Sequence, residues 1–375
     1  MQPRRFLRFM RTEGARNRDL GPGVPMSPGV RVPRLLPRGE LGSTAALVER
    51  AVPPFFLVGN PRSGTKMLRE LLNASPDVWM SEVESHFIPK FTRTIARYGD
   101  LATRDGFERL AGAIRGTRAF WQWEHRGVRV SNDDWWAACP RHDWPGVVAG
   151  LFRCVHRCEI PSPPKPWDEI VWGDKTPVYM REVGLLADVF PRARFIHIVR
   201  DPRDCVLSTA EAWGNAPLRT AQEWADRIRS CHAAGQELGP SRYVELRYED
   251  LTDDAHRELR RLFDFLGVPT PADAGRLFRV PENLGAARGA SAVVAGNKRK
   301  WEPRMDPGLR RTIEELTGDL LDAYGYEREY PGVPIRHLSR ARMETYRLRD
   351  AWHQLRFRRR ELGSWTEALK FLMAR

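Results

Sequence analysis

Long apolar runs are missing from this chain. No stretch approaches the roughly 18 consecutive apolar residues that a membrane-spanning helix needs, so an integral membrane protein is not predicted. The arginine-rich N-terminus also lacks the apolar segment of a secretory signal. Cysteine is scarce, and the five cysteines follow no disulfide-framework spacing. Together these absences predict a reducing compartment and a cytoplasmic protein, and the Arg- and Ala-rich composition is typical of a bacterial one.

A metal-binding pattern is lacking as well. Cys154, His156 and Cys158 form a C-x-H-x-C fragment, but no second ligand pair follows at finger spacing, so zinc is not predicted. What the chain does have is 42% apolar and 10% aromatic residues, which is typical of a globular protein. Its 375 residues suffice for one large α/β domain with appendages.

Net charge is nearly absent from the middle of the chain, although the whole carries +13. Residues 1–20 hold six Arg against two acids, and residues 336–375 hold eleven Lys or Arg against four acids. Basic ends of this kind can bind nucleic acids or anionic membrane surfaces. Because no nucleic-acid-binding motif accompanies them, nucleic acid is not predicted as a partner.

The composition divides the chain into three parts. Residues 1–45 are rich in Arg, Pro and Gly without a period, which predicts a mostly disordered segment. Residues 46–335 are predicted to form the folded domain, with the Trp-rich stretch 116–168 as an insertion or lid. Its tryptophans could bind an acceptor by stacking or form a hydrophobic core of their own. Residues 336–375 are predicted to form a basic amphipathic helical tail.

The tail has a periodic apolar pattern. Its two stripes are Leu348, Trp352 and Leu355, then Leu362, Trp365, Leu369 and Leu372. We expect them to pack on the core or on a partner subunit in a homo-oligomer. Peripheral membrane contact is the alternative.

Strand and helix patterns alternate along the domain. Strands are predicted at 55–58, 169–172, 194–199 and 242–246, and helices at 65–72, 178–190, 205–213, 219–238 and 254–266. This alternation predicts an α/β fold in three layers, with a mostly parallel central sheet flanked by helices. Since ligands of such sheets bind at the carboxyl ends of the strands, we expect the loops that follow the strands to form one site.

The most informative loop follows the first predicted strand. Residues 55–68 read FFLVGNPRSGTKML, a strand, a glycine-bearing loop and a helix start. Free amides at a helix N-terminus bind anions, so the loop predicts a bound phosphate or sulfate. A kinase-type loop would continue Gly-Lys-Ser/Thr, whereas Thr65 and Lys66 stand here in inverted order. With Arg62 inside the loop, the pattern indicates an anion site that needs no metal.

The run Pro61-Arg62-Ser63-Gly64-Thr65 resembles the 5′-phosphosulfate loop of sulfotransferases that use 3′-phosphoadenosine-5′-phosphosulfate (PAPS), in particular the branch of the tyrosylprotein and many bacterial enzymes. The resemblance implies a P-loop-like fold, PAPS as sulfate donor, and transfer to a hydroxyl-bearing acceptor without a metal. It implies that the donor's 5′ end is bound by Arg62, Ser63, Gly64, Thr65 and Lys66.

Three further segments resemble the same family. Val199–Ser208 matches its 3′-phosphate element, which implies that Arg200 and Ser208 hold that phosphate; a plain Arg200 ion pair with Asp201 or Asp204 is the alternative. Tyr248 lies in a Y-E-D-L run and would contact adenine. A looser match at 296–301 fixes no residue.

The reacting groups implied by the resemblance are a lysine and a glutamate. Lys175, in a D-K-T-P run, would act on the transferring group, and Glu84 would be the base. The spacing to Glu84 is one residue longer than in the tyrosylprotein branch, so Glu82 and His86 remain alternatives.

Two other functions remain open. A kinase or NTPase could use the same loop, and a binding protein could keep the fold without catalysis. The acceptor is also open among carbohydrate, lipid, phenolic metabolite and tyrosine.

Overall fold

The structure of the protein is a computed structural model that describes residues 53–274, 293–294 and 296–366. The segment 1–45 lies outside the described residues. So do Leu369 and Leu372 of the predicted second stripe, and the side chain of Leu362.

The centre of the fold is a parallel five-stranded sheet. Its strands are β1 (Phe55–Gly59), β2 (Val78–Met80), β3 (Val171–Lys175), β4 (Arg194–Val199) and β5 (Tyr243–Arg247), and they stand in the order β2-β3-β1-β4-β5. Strand β1 lies in the middle, with Phe55 in register with Gly173 on one side and Arg194 on the other. All five of its residues are buried, as expected of a parallel strand covered on both faces. The predicted α/β fold is confirmed.

Helices cover both faces of the sheet. They are α1 (Thr65–Leu72), α2 (Ile88–Thr92), α3 (Arg104–Arg115), α4 (Arg118–His125), α5 (Asn132–Ala138), α6 (Trp144–Glu159), α7 (Val183–Val189), α8 (Pro202–Trp213), α9 (Pro217–Leu238), α10 (Tyr248–Asp253), α11 (Ala255–Leu266), α12 (Pro307–Ala323) and α13 (Arg340–Leu362). Short 3₁₀ turns lie at Ile95–Tyr98, Trp167–Glu169 and Pro177–Arg181.

Several predicted elements have different bounds in the structure, and two of these differences have a local cause. The strand predicted at 169–172 begins only at Val171 and continues to Lys175, because the preceding residues form the 3₁₀ turn that ends at Glu169. The helix predicted at 178–190 is divided into a 3₁₀ turn and α7. The division falls at Glu182, whose φ of −117° lies outside the helical region.

The Trp-rich segment forms helices that pack against the sheet. Trp123, Trp135 and Trp144 are buried in the same apolar cluster as Phe56 of β1. The indole of Trp135 donates a 2.8 Å hydrogen bond to the carbonyl of Val147, which satisfies its polar atom inside the cluster. These three tryptophans therefore belong to the hydrophobic core that covers the sheet, and not to a core of their own.

Helix α13 docks beside the α8–α9 connection through one face. The buried carboxylate of Asp350 accepts hydrogen bonds from Ala216 N (3.0 Å) and from Arg219 Nε (2.8 Å). Because two donors hold this carboxylate, the helix is rotated so that Leu348 and Trp352 face away from the core, 66% and 55% exposed. Leu348 and Trp352 therefore do not pack on the core, whereas Leu355 of the same stripe is half-buried; packing on a partner subunit stays a prediction. No described helix is long and apolar enough to cross a membrane.

Candidate active site

The loop between β1 and α1 is shaped by two glycines. A Cβ on Gly59 would lie 2.7 Å from the carbonyl oxygen of Ile198. Gly64 has a φ of 90°, and a Cβ there would lie 2.6 Å from the Tyr248 ring. Since neither position can take a side chain without a shift, both glycines serve the close approach of the loop to its neighbours. Arg62 also has a positive φ, 73°, a strained conformation that is common at functional sites.

The loop brings Arg62, Arg200 and Ser208 together. Arg62 Nε donates to Ser208 Oγ at 3.0 Å, and Arg200 Nη1 donates to the Arg62 carbonyl at 3.0 Å. Arg200 follows β4, and Ser208 lies two turns into α8. Arg62 follows β1, whereas Arg200 and Ser208 both follow β4, so the loops after these two neighbouring strands converge at the carboxyl edge of the sheet as predicted.

Arg200 is buried among partners of several kinds. It lies 3.5 Å from Asp204 Oδ2, while Asp201 pairs with Arg203 instead. The ion pair that the sequence offered as an alternative is therefore present with Asp204 and absent with Asp201. Its Nε is buried and has no hydrogen-bond partner among the described residues. A buried donor without a partner costs free energy, so this nitrogen is suited to an anionic oxygen from a ligand.

Tyr248 forms the wall next to these arginines. Its ring packs against Gly64 and lies 4.2 Å from the guanidinium carbon of Arg200. Its hydroxyl accepts a 2.6 Å hydrogen bond from Asn297 Nδ2. Asn297 lies in the loosely matching segment 296–301, so the sequence pointed to the segment but not to the residue.

Lys175 and Glu84 form an ion pair at the end of β3. The Lys175 ammonium contacts Glu84 Oε1, and the lysine side chain is only 1% exposed. Burial by itself raises the pKa of Glu84, but hydrogen bonds from His86 and Lys175 and the lysine charge outweigh it and lower the pKa to about 2. Burial lowers the pKa of Lys175, against the attraction of Glu84.

The other two candidate bases have different surroundings. The Glu82 carboxylate contacts Arg126 at the surface. His86 lies 3.0 Å from Glu84 Oε2 and is 53% exposed. Of the three alternatives, Glu84 is the one whose carboxylate meets the predicted catalytic lysine.

A buried network holds the segment that carries Glu84. Ser85 Oγ donates to Asp174, and Ser85 N donates to Thr176 Oγ1 at 3.1 Å. The Tyr179 hydroxyl lies 2.7 Å from Ser85 Oγ and accepts from Ile88 N at 3.1 Å. These groups link the loop after β2 to the end of β3. Sequence reasoning missed them, since no local pattern distinguishes them.

The remaining loop residues have separate roles. Ser63 N donates to the Asn60 carbonyl at 3.1 Å, and its hydroxyl lies 3.5 Å from Cys205 Sγ. Thr65 is buried and Lys66 is exposed at the start of α1. Gly64 caps this helix without a side-chain hydrogen bond, so its first amides remain available to an anion. Arg227, which the sequence did not indicate, donates to Asn60 Oδ1 at 2.9 Å.

Among the described residues, no group of three or more His, Cys, Asp or Glu side chains could hold a metal ion. The donors that meet at the carboxyl edge of the sheet are instead cations, hydroxyls and amides, namely Arg62, Lys175, Arg200, Ser208 and the start of α1. This donor set is suited to a ligand with several negative charges.

Known proteins of similar sequence include several sulfotransferases. The family model described as the sulfotransferase family matches residues 53–272, more than half of the chain. The omega-hydroxy-beta-dihydromenaquinone-9 sulfotransferase of Mycobacterium tuberculosis is 29% identical over 332 residues, 75% of this chain and 77% of that protein. The protein-tyrosine sulfotransferase of Drosophila melanogaster is 24% identical over 228 residues, 59% of this chain and 39% of that protein.

Among solved structures, the sulfotransferase domain from the Synechococcus PCC 7002 olefin synthase aligns with a TM-score of 0.49 and 20% identity. The alignment covers 74% of this chain and 96% of that domain. The match of the family model covers β1 to α11 and therefore all five strands. This chain belongs to the sulfotransferase family.

Proposed function

We propose that this protein transfers the sulfuryl group of PAPS to a hydroxyl group of an acceptor by in-line displacement. The sulfur–oxygen bond to the 5′-phosphate breaks, and a new bond forms between sulfur and the acceptor oxygen. The acceptor proton passes to the protein, and adenosine 3′,5′-bisphosphate leaves. In this reaction the protein contributes the positioning of the reactants and the electrostatic stabilisation of the transition state.

Each group of the site has a role in this scheme. Glu84 would accept the acceptor proton. Arg62 and Lys175 would stabilise negative charge on the transferring group and the leaving phosphate. The amides at the start of α1, with Thr65 and Lys66, would hold the 5′-phosphate.

The other end of the donor would be bound by separate residues. Arg200 and Ser208 would hold its 3′-phosphate, and Tyr248 would contact adenine. The buried Arg200 Nε that has no partner among the described residues supports this assignment, since a phosphate oxygen would satisfy it.

One observation carries the proposal. Arg62 lies in the loop proposed to bind the 5′-phosphate. Its Nε donates a 3.0 Å hydrogen bond to Ser208 Oγ, and its carbonyl oxygen accepts one from Arg200 Nη1. A nucleotide with phosphates at both ends needs two anion sites side by side, and these contacts join them. A Walker-type NTPase would instead need a lysine directly after Gly64, where Thr65 stands.

The relatives' names support a hydroxyl acceptor. One is named for an omega-hydroxy dihydromenaquinone and the other for protein tyrosine, and both names denote a hydroxyl group on different carriers. We propose a hydroxylated lipid as the first acceptor class to screen, because the relative with this acceptor aligns over three quarters of both chains.

The test is calorimetric binding of adenosine 3′,5′-bisphosphate, compared with ATP and AMP, with and without Mg²⁺. We expect metal-independent binding of the bisphosphate and much weaker binding of ATP. Arg200→Ala should weaken the binding of the bisphosphate by about tenfold or more, since a charge-assisted contact to phosphate is lost. Arg260→Ala, at an exposed position on α11, is the matched control.

The two rival functions give different results. Preference for Mg·ATP would indicate a kinase or NTPase and overturn the proposal. Tight bisphosphate binding without transfer from PAPS to any hydroxylated lipid, phenol, sugar or tyrosine peptide would indicate a binding protein of the same fold.

A further inference from the structure

We propose that the outer face of α13 is a docking surface for an anionic lipid bilayer. The surface consists of Leu348, Trp352, Arg356 and Arg359 of the helix together with Trp365, which follows its C-terminal end, and we call it the α13 outer face. It is independent of the acceptor, because it lies outside the site described above.

The exposed apolar residues are concentrated there. The six large apolar side chains that stand exposed among the described residues include Leu348, Trp352 and Trp365, which are 66%, 55% and 37% exposed. A fourth, Trp213, precedes Gly214, against which the ring of His353 packs. A grouping of this kind marks an interaction surface, whereas single exposed residues do not.

The helix cannot turn this face inward. Asp350, on the opposite side, is held by Ala216 N and Arg219, and Met343 and Tyr346 are buried beside it. In an α-helix, residues four and seven apart lie on the same side, so Leu348, Trp352 and Arg359 share one side of α13. The docked face and the outer face therefore lie on opposite sides of one amphipathic helix.

Two tryptophans and an arginine of the α13 outer face contact one another. The rings of Trp352 and Trp365 stack with centroids 5.9 Å apart, and the Arg359 guanidinium lies 4.4 Å from the Trp365 ring. Tryptophan and arginine together suit the boundary between acyl chains and headgroups, where the ring is half-buried and the cation meets phosphate.

Charge favours a bilayer over a second copy of this chain. The helix contains eight arginines against three acids, of which Asp350 is turned inward. A twofold contact between two copies would bring arginines against arginines. An anionic headgroup layer would neutralise them, and basic residues close to such a surface each add to binding.

The experiment is co-sedimentation of the full chain with vesicles of phosphatidylcholine alone or mixed with phosphatidylglycerol. We expect binding to the anionic vesicles, weakening with added salt, and little binding to the neutral ones. The double variant Leu348→Glu/Trp352→Glu should lower partitioning by about tenfold or more, because two interfacial contacts are replaced by charges that the anionic surface repels.

Two further variants make the result specific. Arg356→Glu/Arg359→Glu should also lose vesicle binding, since it reverses the charge of two residues and replaces no exposed apolar residue. Trp121→Glu changes a 53% exposed tryptophan on α4 and should bind like the unchanged chain. Bisphosphate binding, measured in parallel, confirms that each variant is folded.

Several outcomes would overturn the proposal. One is failure of the full chain to sediment with anionic vesicles. Another is a loss of vesicle binding in Trp121→Glu equal to that in Leu348→Glu/Trp352→Glu, which would indicate nonspecific adsorption. A third is a shift from dimer to monomer in sedimentation velocity on Leu348→Glu/Trp352→Glu, with vesicle binding unchanged, which would assign the α13 outer face to a second copy.

Discussion

At the scale of single residues, the ion pair of Lys175 and Glu84 would link charge stabilisation to proton transfer in the proposed reaction. While Lys175 contacts it, Glu84 is a weak base, because its pKa is held at about 2. If Lys175 turned to the negative charge of a leaving phosphate, Glu84 would lose that partner and its pKa would rise, because burial opposes its charged form. In the proposed reaction, the base would therefore strengthen as the leaving group is engaged.

Replacing Glu84 tests the role of the base. We expect Glu84→Gln to lower kcat by about 10²–10⁴-fold, the usual contribution of general base catalysis, with bisphosphate binding retained. The matched control is Glu82→Gln, which changes a carboxylate two residues away that contacts Arg126. Turnover with PAPS measures both variants. A near-normal rate in Glu84→Gln, or an equal loss in Glu82→Gln, would contradict the assignment.

The ion pair also predicts the pH dependence of kcat/KM, which reports pKa values of the free enzyme. Because the pKa of Glu84 is lowered to about 2, we expect no acid limb at the ordinary glutamate pKa of about 4.3. Burial lowers the pKa of Lys175, so kcat/KM should fall on the alkaline side below the ordinary lysine pKa of about 10.4.

Lys175→Arg tests whether Lys175 causes the alkaline limb. Arginine stays protonated throughout this range, so the alkaline limb should disappear, whatever the residual rate. An acid limb near the ordinary glutamate pKa in the unchanged enzyme would argue against the Glu84 ion pair in solution.

At the scale of elements, the position of Glu84 depends on the end of β3. The loop after β2 has no regular structure around Glu84, and hydrogen bonds to Asp174, Thr176 and Tyr179 hold it against the sheet. A loop positioned by a rigid strand can carry a reactive group with a defined geometry.

Tyr179→Phe tests this attachment. The change removes the acceptor of the buried Ile88 N and a partner of Ser85, so we expect a loss of about 1–3 kcal/mol in the free energy of unfolding. We also expect kcat to fall while bisphosphate binding persists, because the loop carries Glu84. Thermal unfolding and turnover measure the two effects.

The control is Tyr98→Phe, whose hydroxyl has no hydrogen bond among the described residues and which should change little. If Tyr179→Phe matches this control in both measurements, the network does not position the loop.

At the scale of the whole molecule, α13 is attached to the domain through the buried carboxylate of Asp350 and the buried side chains of Met343 and Tyr346. Asp350 is 3% exposed and satisfies Ala216 N and Arg219, the former at the junction of α8 and α9. Because α8 also carries Ser208, the tail is anchored to an element of the site.

Asp350→Ala should release the helix. A buried amide and a guanidinium lose their acceptor, so we expect about 2 kcal/mol or more of lost stability and faster proteolysis within α13. The control is Glu344→Ala, in the same helix, where an exposed ion pair with Arg347 contributes little. Equal protection of α13 in both variants would show that Asp350 does not dock the helix.

Local physics in the sequence determined much of this protein. The apolar run Phe55–Val58, the glycines of the loop and the alternation of strand and helix patterns specify a parallel sheet and predict an anion site at its carboxyl edge. These features depend on periodicity and on backbone sterics within a few residues. The motif residues Arg62, Arg200 and Ser208 could therefore be named, and the sheet brings them together.

Only the tertiary structure decided which side chains meet. Lys175 contacts Glu84 across 91 positions of sequence, and Arg62 meets Ser208 across 146. The contact of Glu84 with Lys175, the hydrogen bond of Asn297 to Tyr248 and the orientation of α13 around Asp350 are such long-range contacts. No local pattern encodes them, because each depends on where the whole chain places a distant hydrogen-bond partner.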